Sequence, residues 1–182
     1  MKKYYCSIPV PDKHLGKRIR EFGAKRQGAG SSAPHITIVP PREVPDDFRT
    51  KELIDAVTLA LATIRSFHVT VTGVGFFGEK ETIYASVDRS VSLIRCHEAA
   101  KAAFDRIIGP DKGEFADMPT PHITLATRLS PLLGEEAWAE ANRDDWRGSF
   151  PCQKLYLLGK GWMNPEGQEE KEWTVIAFIR LG

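Results

Sequence analysis

The sequence predicts an α+β protein built as two similar halves, and three observations carry that prediction. Strand-like and helix-like runs follow in the order strand, helix, strand, helix, strand, strand, helix, strand, helix, strand, strand, which suits two α+β halves. The tetrapeptide Pro-His-Ile-Thr occurs at 34–37 and again at 121–124, once in each half and each time on a strand-like run. A chain of 182 residues buries about 70 % of its unfolded surface, enough for one core or for two small lobes sharing an interface. One compact domain is expected over the whole chain.

Residues 3–10 alternate loosely and are rich in Tyr, Ile and Val, which reads as a strand closed by Pro11. Leu15, Ile19 and Phe22 recur at i, i+4 and i+7 among Lys and Arg, predicting a helix with one apolar stripe. Its end is marked by Gly23 and the stretch 28–32. The first motif strand covers 35–39 and is expected to stop at Pro40-Pro41, since proline cannot donate to a ladder. Asp46 and Asp47 lead into Leu53, Ile54, Val57, Leu61 and Ile64 with Arg65 at the far end, a second helix whose charges suit its dipole.

Alternation over 67–74 and again over 82–87, around a loop at 73–80, predicts two antiparallel neighbours. Asp88 or Ser90 can cap a third helix, with Val91, Ile94, Ala99, Ala102, Ala103 and Ile107 for its buried side and Gly109-Pro110 at its end. The second motif strand covers 121–127 and a short helix 131–142. Residues 150–158 and 173–181 supply two closing strands around a loop at 159–167. Beyond the tetrapeptides internal similarity is weak, so no repeat array is expected.

Lys and Arg number 25 against 24 Asp and Glu, a formal charge of +1. No global field therefore recruits nucleic acid or an anionic membrane, and an anionic substrate must be held by local charges. Cys6, Cys96 and Cys152 are too few and too scattered for a disulfide framework or a zinc site and read as small buried thiols of a reducing compartment. No stretch approaches the ~20 apolar residues of a membrane span, and the first residues lack a signal core. A cytoplasmic, membrane-free protein is expected.

A strand turns alternate residues to one face, so His35 and Thr37 point the same way roughly 6.5–7 Å apart, as do His122 and Thr124. One Pro-His-Ile-Thr copy is an ordinary strand opening. Two copies point to a shared site, because His followed two places on by Thr has no special value to a sheet. Two imidazoles facing one cleft can divide phosphoester cleavage, one taking a proton from the attacking oxygen and one giving a proton to the leaving oxygen. Each such transfer contributes about 10²- to 10⁴-fold, and the two hydroxyls can donate to non-bridging oxygens. Arg42 and Arg128, shortly after their motifs, are candidates for further charge, and Phe76, Phe77, Tyr84 and Trp162 for stacking a base. His14, His68 and His97 read as solvated or hydrogen-bonded surface groups. The rivals are a metal hydrolase with both histidines as ligands, which lacks the usual carboxylate or Cys partners, and a non-catalytic module that holds a nucleotide or RNA end.

On these residues the chain resembles the 2H phosphoesterase superfamily, in particular its 2′-5′ RNA ligase-like and RNA 2′,3′-cyclic phosphodiesterase branch. The motif there is a twice-occurring His-x-Thr/Ser-x, matched by His35-Ile36-Thr37-Ile38 and His122-Ile123-Thr124-Leu125 at a spacing of 87 residues. The context agrees, with Gly75-Phe76-Phe77-Gly78 before the strand at 82–87 and the two closing strands, so the resemblance covers most of the chain. It implies a bilobal fold about a pseudo-twofold axis, antiparallel sheet with helices outside, and a cleft lined by His35, Thr37, His122 and Thr124. It also implies opening of cyclic phosphodiesters or cleavage of 2′-5′ linkages without metal or cofactor, with weak reverse ligation in some members. His122 would act as base and His35 as acid. The expected partner is a small phosphodiester, nucleotide or RNA terminus, with Arg42, Arg128, Phe77, Tyr84 and Trp162 binding it. No obligate protein partner is implied, and a monomer is expected.

Overall fold

In the computed structural model, which describes residues 2–11, 13–26, 33–111, 120–161 and 171–182, each run read as a strand finds an antiparallel neighbour. The elements are β1 (Lys2–Pro9), α1 (His14–Ala24), β2 (His35–Val44), α2 (Thr50–Leu61), β3 (Phe67–Phe77), β4 (Thr82–Val87), α3 (Val91–Ile108), β5 (His122–Ala126), α4 (Pro131–Ala141), β6 (Gly148–Cys152), β7 (Lys154–Lys160) and β8 (Thr174–Arg180). The strands form one curled sheet in the order β6-β3-β4-β5-β2-β1-β7-β8. Its two halves of four strands mirror one another, each with its motif strand innermost. They meet where β2 pairs with β5, with Ile36 opposite Ile123.

Helices cover one face of the sheet. Ile36, Ile38 and Ile123 are 0 % exposed there, and burying such a side chain stabilises the fold by about 1.5–3 kcal/mol. α3 packs on β2, and α2 packs on α3 and β8. Ile19 and Phe22 bury the apolar stripe of α1, Phe22 meeting Trp146 edge-on at 5.4 Å. Ser90 caps α3 by accepting from the Leu93 amide at 3.3 Å, while Pro131 opens α4 where a helix asks for no amide donor. All three cysteines are buried free thiols, and burial pushes Cys6 and Cys152 up to about 12. No helix among the described residues is long and apolar enough to cross a membrane.

Several expectations need correction. β2 does not stop at Pro40-Pro41 but runs on to Val44. Tyr4 pairs with Arg42 and Cys6 with Val39, so Tyr5 alone faces both prolines across a bulge, where their missing donors are not required. β3 likewise runs three residues past its expected end to Phe77, which pairs with Thr82. The turn between them is only residues 78–81, with Gly78 and Lys80 at φ 58° and 63°; glycine meets the first at little steric penalty. The run at 150–158 is two strands, because the chain changes halves at Gln153: β6 pairs with β3 and β7 with β1.

α2 ends at Leu61, before Ile64 and Arg65. α3 buries Leu93, Cys96, His97, Ala100, Ala103 and Phe104, leaving Val91 66 % exposed. Of the stripe read from sequence, Ala103 lies on this buried face while Val91 and Ala102 are exposed. His97 is accordingly no surface group: its Nδ1 lies 2.7 Å from the Ile38 carbonyl oxygen, which satisfies it inside the core. His14 and His68 are exposed.

Candidate active site

The alternation that buries Ile36 and Ile123 turns His35, Thr37, His122 and Thr124 to the opposite face of the sheet, where all four are half-buried. With Ile36 opposite Ile123 in an antiparallel pair, His35 stands level with Thr124 and Thr37 with His122. The imidazoles therefore occupy one diagonal of a four-residue patch, with diagonal Cβ positions about 7–8 Å apart by ordinary sheet geometry.

The two rings are held alike. His35 Nδ1 lies 2.9 Å from the Ala33 carbonyl oxygen, and His122 Nδ1 lies 2.8 Å from that of Thr120, in each case two residues back. A carbonyl can only accept, so Nδ1 carries the proton and Nε2 is the nitrogen available to a substrate. Burial lowers the pKa of His35; the bond to Ala33 opposes that shift, and the charge of His122 adds to it. Burial lowers His122 as well, again opposed by its carbonyl bond. Both rings are thus biased toward the neutral form.

Aromatic rings flank each histidine. On one side Phe77 meets His122 edge-on at 4.9 Å and packs on Tyr84 at 4.3 Å, while Tyr84 lies 5.3 Å from His122. Gly75 makes this possible, since a Cβ there would fall 2.5 Å from the Tyr84 ring. On the other side Tyr5 lies 5.6 Å from His35 and meets Trp173 edge-on at 4.6 Å. Beside His35 these rings wall a cavity of about 440 Å³, lined also by Ser7, Tyr156 and Glu172. Burial pushes the Tyr5 hydroxyl up to about 12, so it stays a neutral donor.

Of the residues read from sequence, the structure brings together the four motif side chains with Phe77 and Tyr84. Arg42 is a correction. It leaves β2 on the helix side and is 8 % exposed, its guanidinium engaged by Asp105 at 2.6 Å, Asp111 at 3.4 Å and the Gly109 carbonyl at 3.2 Å. Arg128 is exposed just beyond β5 at φ 58°. Trp162 lies outside the described residues. Sequence reading missed Tyr5, Ser7, Tyr156 and Trp173. The available signal was strand parity: once β1 is known to lie beside β2, its alternate residues Tyr5, Ser7 and Pro9 face the motif. Among the described residues no three or more His, Cys, Asp or Glu side chains are gathered as a metal site would need.

The family model described as the 2′-5′ RNA ligase superfamily matches residues 10–161. Among solved structures, TT0787 of Thermus thermophilus is similar with a TM-score of 0.71 at 18 % identity, over 98 % of this chain and 97 % of that one. Escherichia coli LigT complexed with 3′-AMP is similar at TM-score 0.66 and 19 % identity, over 99 % and 98 %. LigT complexed with NADP+ gives 0.62 and 18 %, over 99 % and 97 %. No curated relative matches the chain.

Proposed function

The chain belongs to the 2′-5′ RNA ligase superfamily, that of the 2H phosphoesterases, and from that premise we propose that it is a metal-independent phosphodiesterase acting on a 2′,3′-cyclic phosphate or a 2′-5′ linkage. The observation that carries the reading is the matched pair of imidazoles, each held through Nδ1 by a backbone carbonyl two residues back, which leaves Nε2 for proton transfer. Among the described residues no third His, Cys, Asp or Glu joins this pair as a metal site would need.

In this reading neutral His122 takes a proton from water as its oxygen attacks phosphorus. The bond from phosphorus to the leaving ribose oxygen breaks, and His35, entering as imidazolium, protonates that oxygen. The net change is one water added and one phosphoester opened, and the two rings then exchange their proton with solvent. Thr37 and Thr124 donate to the non-bridging oxygens, where charge accumulates. Burial opposes the charged form of His35, so its proton must be stabilised by the substrate itself: a phosphodiester anion beside Nε2 favours imidazolium. A nucleotide is the ligand class we extend from LigT, which has been crystallised with 3′-AMP and NADP+.

Hydrolysis of 2′,3′-cyclic nucleotides and 2′-5′ dinucleotides by the purified protein, with and without EDTA, tests the reading. Turnover unchanged by chelation is expected. Loss of turnover on chelation would remove the metal-independent mechanism, and no turnover of either ester would remove the enzyme.

A further inference from the structure

We propose that the cleft-side face of β1, β7 and β8 is a track for single-stranded nucleic acid, which rests on the two-histidine phosphodiesterase reading and names its substrate as an oligonucleotide rather than a mononucleotide. Thr37 pairs with Ser7, Ser7 with Tyr156, and Tyr156 with Phe178. One cross-strand row therefore runs from the motif to the sheet edge, and three strand spacings put Phe178 about 14 Å from Thr37. The cavity beside His35 is walled by Tyr156 and Trp173 without Phe178. A mononucleotide seated there leaves Phe178 untouched.

Phe178 is 65 % exposed in mid-strand, whereas its neighbour Ile179 is 1 % exposed on the side where α2 packs. Phe178 therefore presents its ring to solvent on the same face as Thr37. It meets Tyr156 edge-on at 5.0 Å, and the Lys154 ammonium lies 5.3 Å from the Tyr156 ring and 5.6 Å from Phe178. Lys154 has Arg180 as its register partner, and Lys160 reaches the Trp173 ring at 5.0 Å. Rings interleaved with cations along one sheet face match alternating bases and phosphates: bases stack on the rings while ammonium and guanidinium groups meet the phosphates. An apolar protein partner would use Phe178 but would leave the three cations unmatched. Because the chain as a whole carries only +1, attraction to a strand must be local, and Lys154, Lys160 and Arg180 supply it against the single carboxylate among the described residues of the cavity wall, Glu172.

Binding of a labelled hexaribonucleotide ending in a 3′-phosphate, measured by fluorescence anisotropy on the full-length protein, tests the track without requiring turnover. The wild type should bind the hexamer more tightly than a 3′-mononucleotide measured by calorimetry. Phe178→Ala should weaken hexamer binding by about 5- to 150-fold, the range for loss of one stacked base, and leave mononucleotide binding unchanged. Phe178→Tyr, which keeps the stacking plane, should restore hexamer affinity. The double change Lys154→Ala, Arg180→Ala should lower the slope of log affinity against log salt by about 1.4, roughly 0.7 for each phosphate contact removed. Equal wild-type affinity for mononucleotide and hexamer would overturn the track, as would unchanged hexamer binding in Phe178→Ala or equal losses on both ligands. Failure of ester hydrolysis with length-dependent binding intact would count against the phosphodiesterase alone, and hydrolysis indifferent to length against the track alone.

Discussion

A histidine whose Nδ1 is tied to a carbonyl has one neutral tautomer and one working nitrogen, and that constraint appears twice at this site. If the two rings act in one transition state, His35→Ala and His122→Ala should each lower kcat by about 10²- to 10⁴-fold. The double variant should lose little beyond either single one, because removing one proton transfer leaves the other without a productive step. Thr37→Ala and Thr124→Ala should cost less, at most about 3 kcal/mol of barrier each, the worth of one oxyanion donor. Two independent, multiplicative histidine losses would argue for binding roles. The pH profile is the second residue-scale test. Its lower limb reports loss of a proton from the base and its upper limb loss of one from the acid, and burial lowers both rings. The maximum of kcat/KM should therefore lie on the acid side of the unperturbed histidine value, about 6.5. In the kcat profile the upper limb should move to higher pH, since the bound anion holds the proton on His35. Rates between pH 4.5 and 8 decide this, and a kcat/KM maximum above 7 would overturn the assignment.

At the scale of elements, β2 does two jobs on two faces. Its first residues present His35 and Thr37 to the cleft, while beyond the Pro40-Pro41 bulge Arg42 ties the strand to the C-terminal end of α3 through Asp105 and Asp111. Burial alone would raise the Asp105 carboxyl, but hydrogen bonds from Lys101 and Arg42 outweigh it and hold the pKa below the ordinary value. Arg42→Met should remove the cation that bridges Asp105 and Asp111, leaving Asp105 with Lys101 at 2.6 Å. The expected loss is about 1.5–3 kcal/mol, the range for a hydrogen bond to a charged group. Urea unfolding measures it, and kcat/KM of the folded variant should change by no more than about threefold, well under 1 kcal/mol. A large rise in KM with unchanged stability would return Arg42 to the substrate. Only half of this strand was legible beforehand. The alternation at 35–39 places the motif, but the continuation through two prolines depends on β1 supplying one residue against two, which no local pattern records.

For the whole molecule, the geometry of the site depends on the join between halves at Ile36 and Ile123, both 0 % exposed. Ile123→Val should cost about 0.5–1.5 kcal/mol and spare kcat, whereas Ile123→Ala should cost about 2–5 kcal/mol and also lower kcat, because the same contact sets the distance between the histidines. Denaturant midpoints and single-turnover rates on the pair test this, and an Ala variant destabilised yet fully active would separate the join from the site. The buried imidazoles also link stability to pH. Their folded pKa values lie below the unfolded one, so the unfolded chain binds more protons in the window between. Stability should be fully present above about pH 6.5 and be lost as pH falls from there through the folded values. Urea midpoints from pH 5 to 8 should show that slope, and the double variant His35→Gln, His122→Gln should flatten it.

By itself the sequence determined what depends on residues near one another in the chain: the parity that aims each His and Thr to one side, a cap for α3 at Asp88 or Ser90, the four helices and the strand at 82–87. The repeated tetrapeptide also announced two related halves. Tertiary structure decided whatever depends on which strand lies beside which. It made one run at 150–158 into two strands serving different halves, turned Arg42 inward to α3 and buried His97 under β2. It brought Tyr5, Ser7 and Trp173 to the wall beside His35, and Phe178 into register with Thr37 across two intervening strands. The physical reason is that alternation assigns a side chain to a face, while register, set by contacts between distant residues, assigns that face its neighbours.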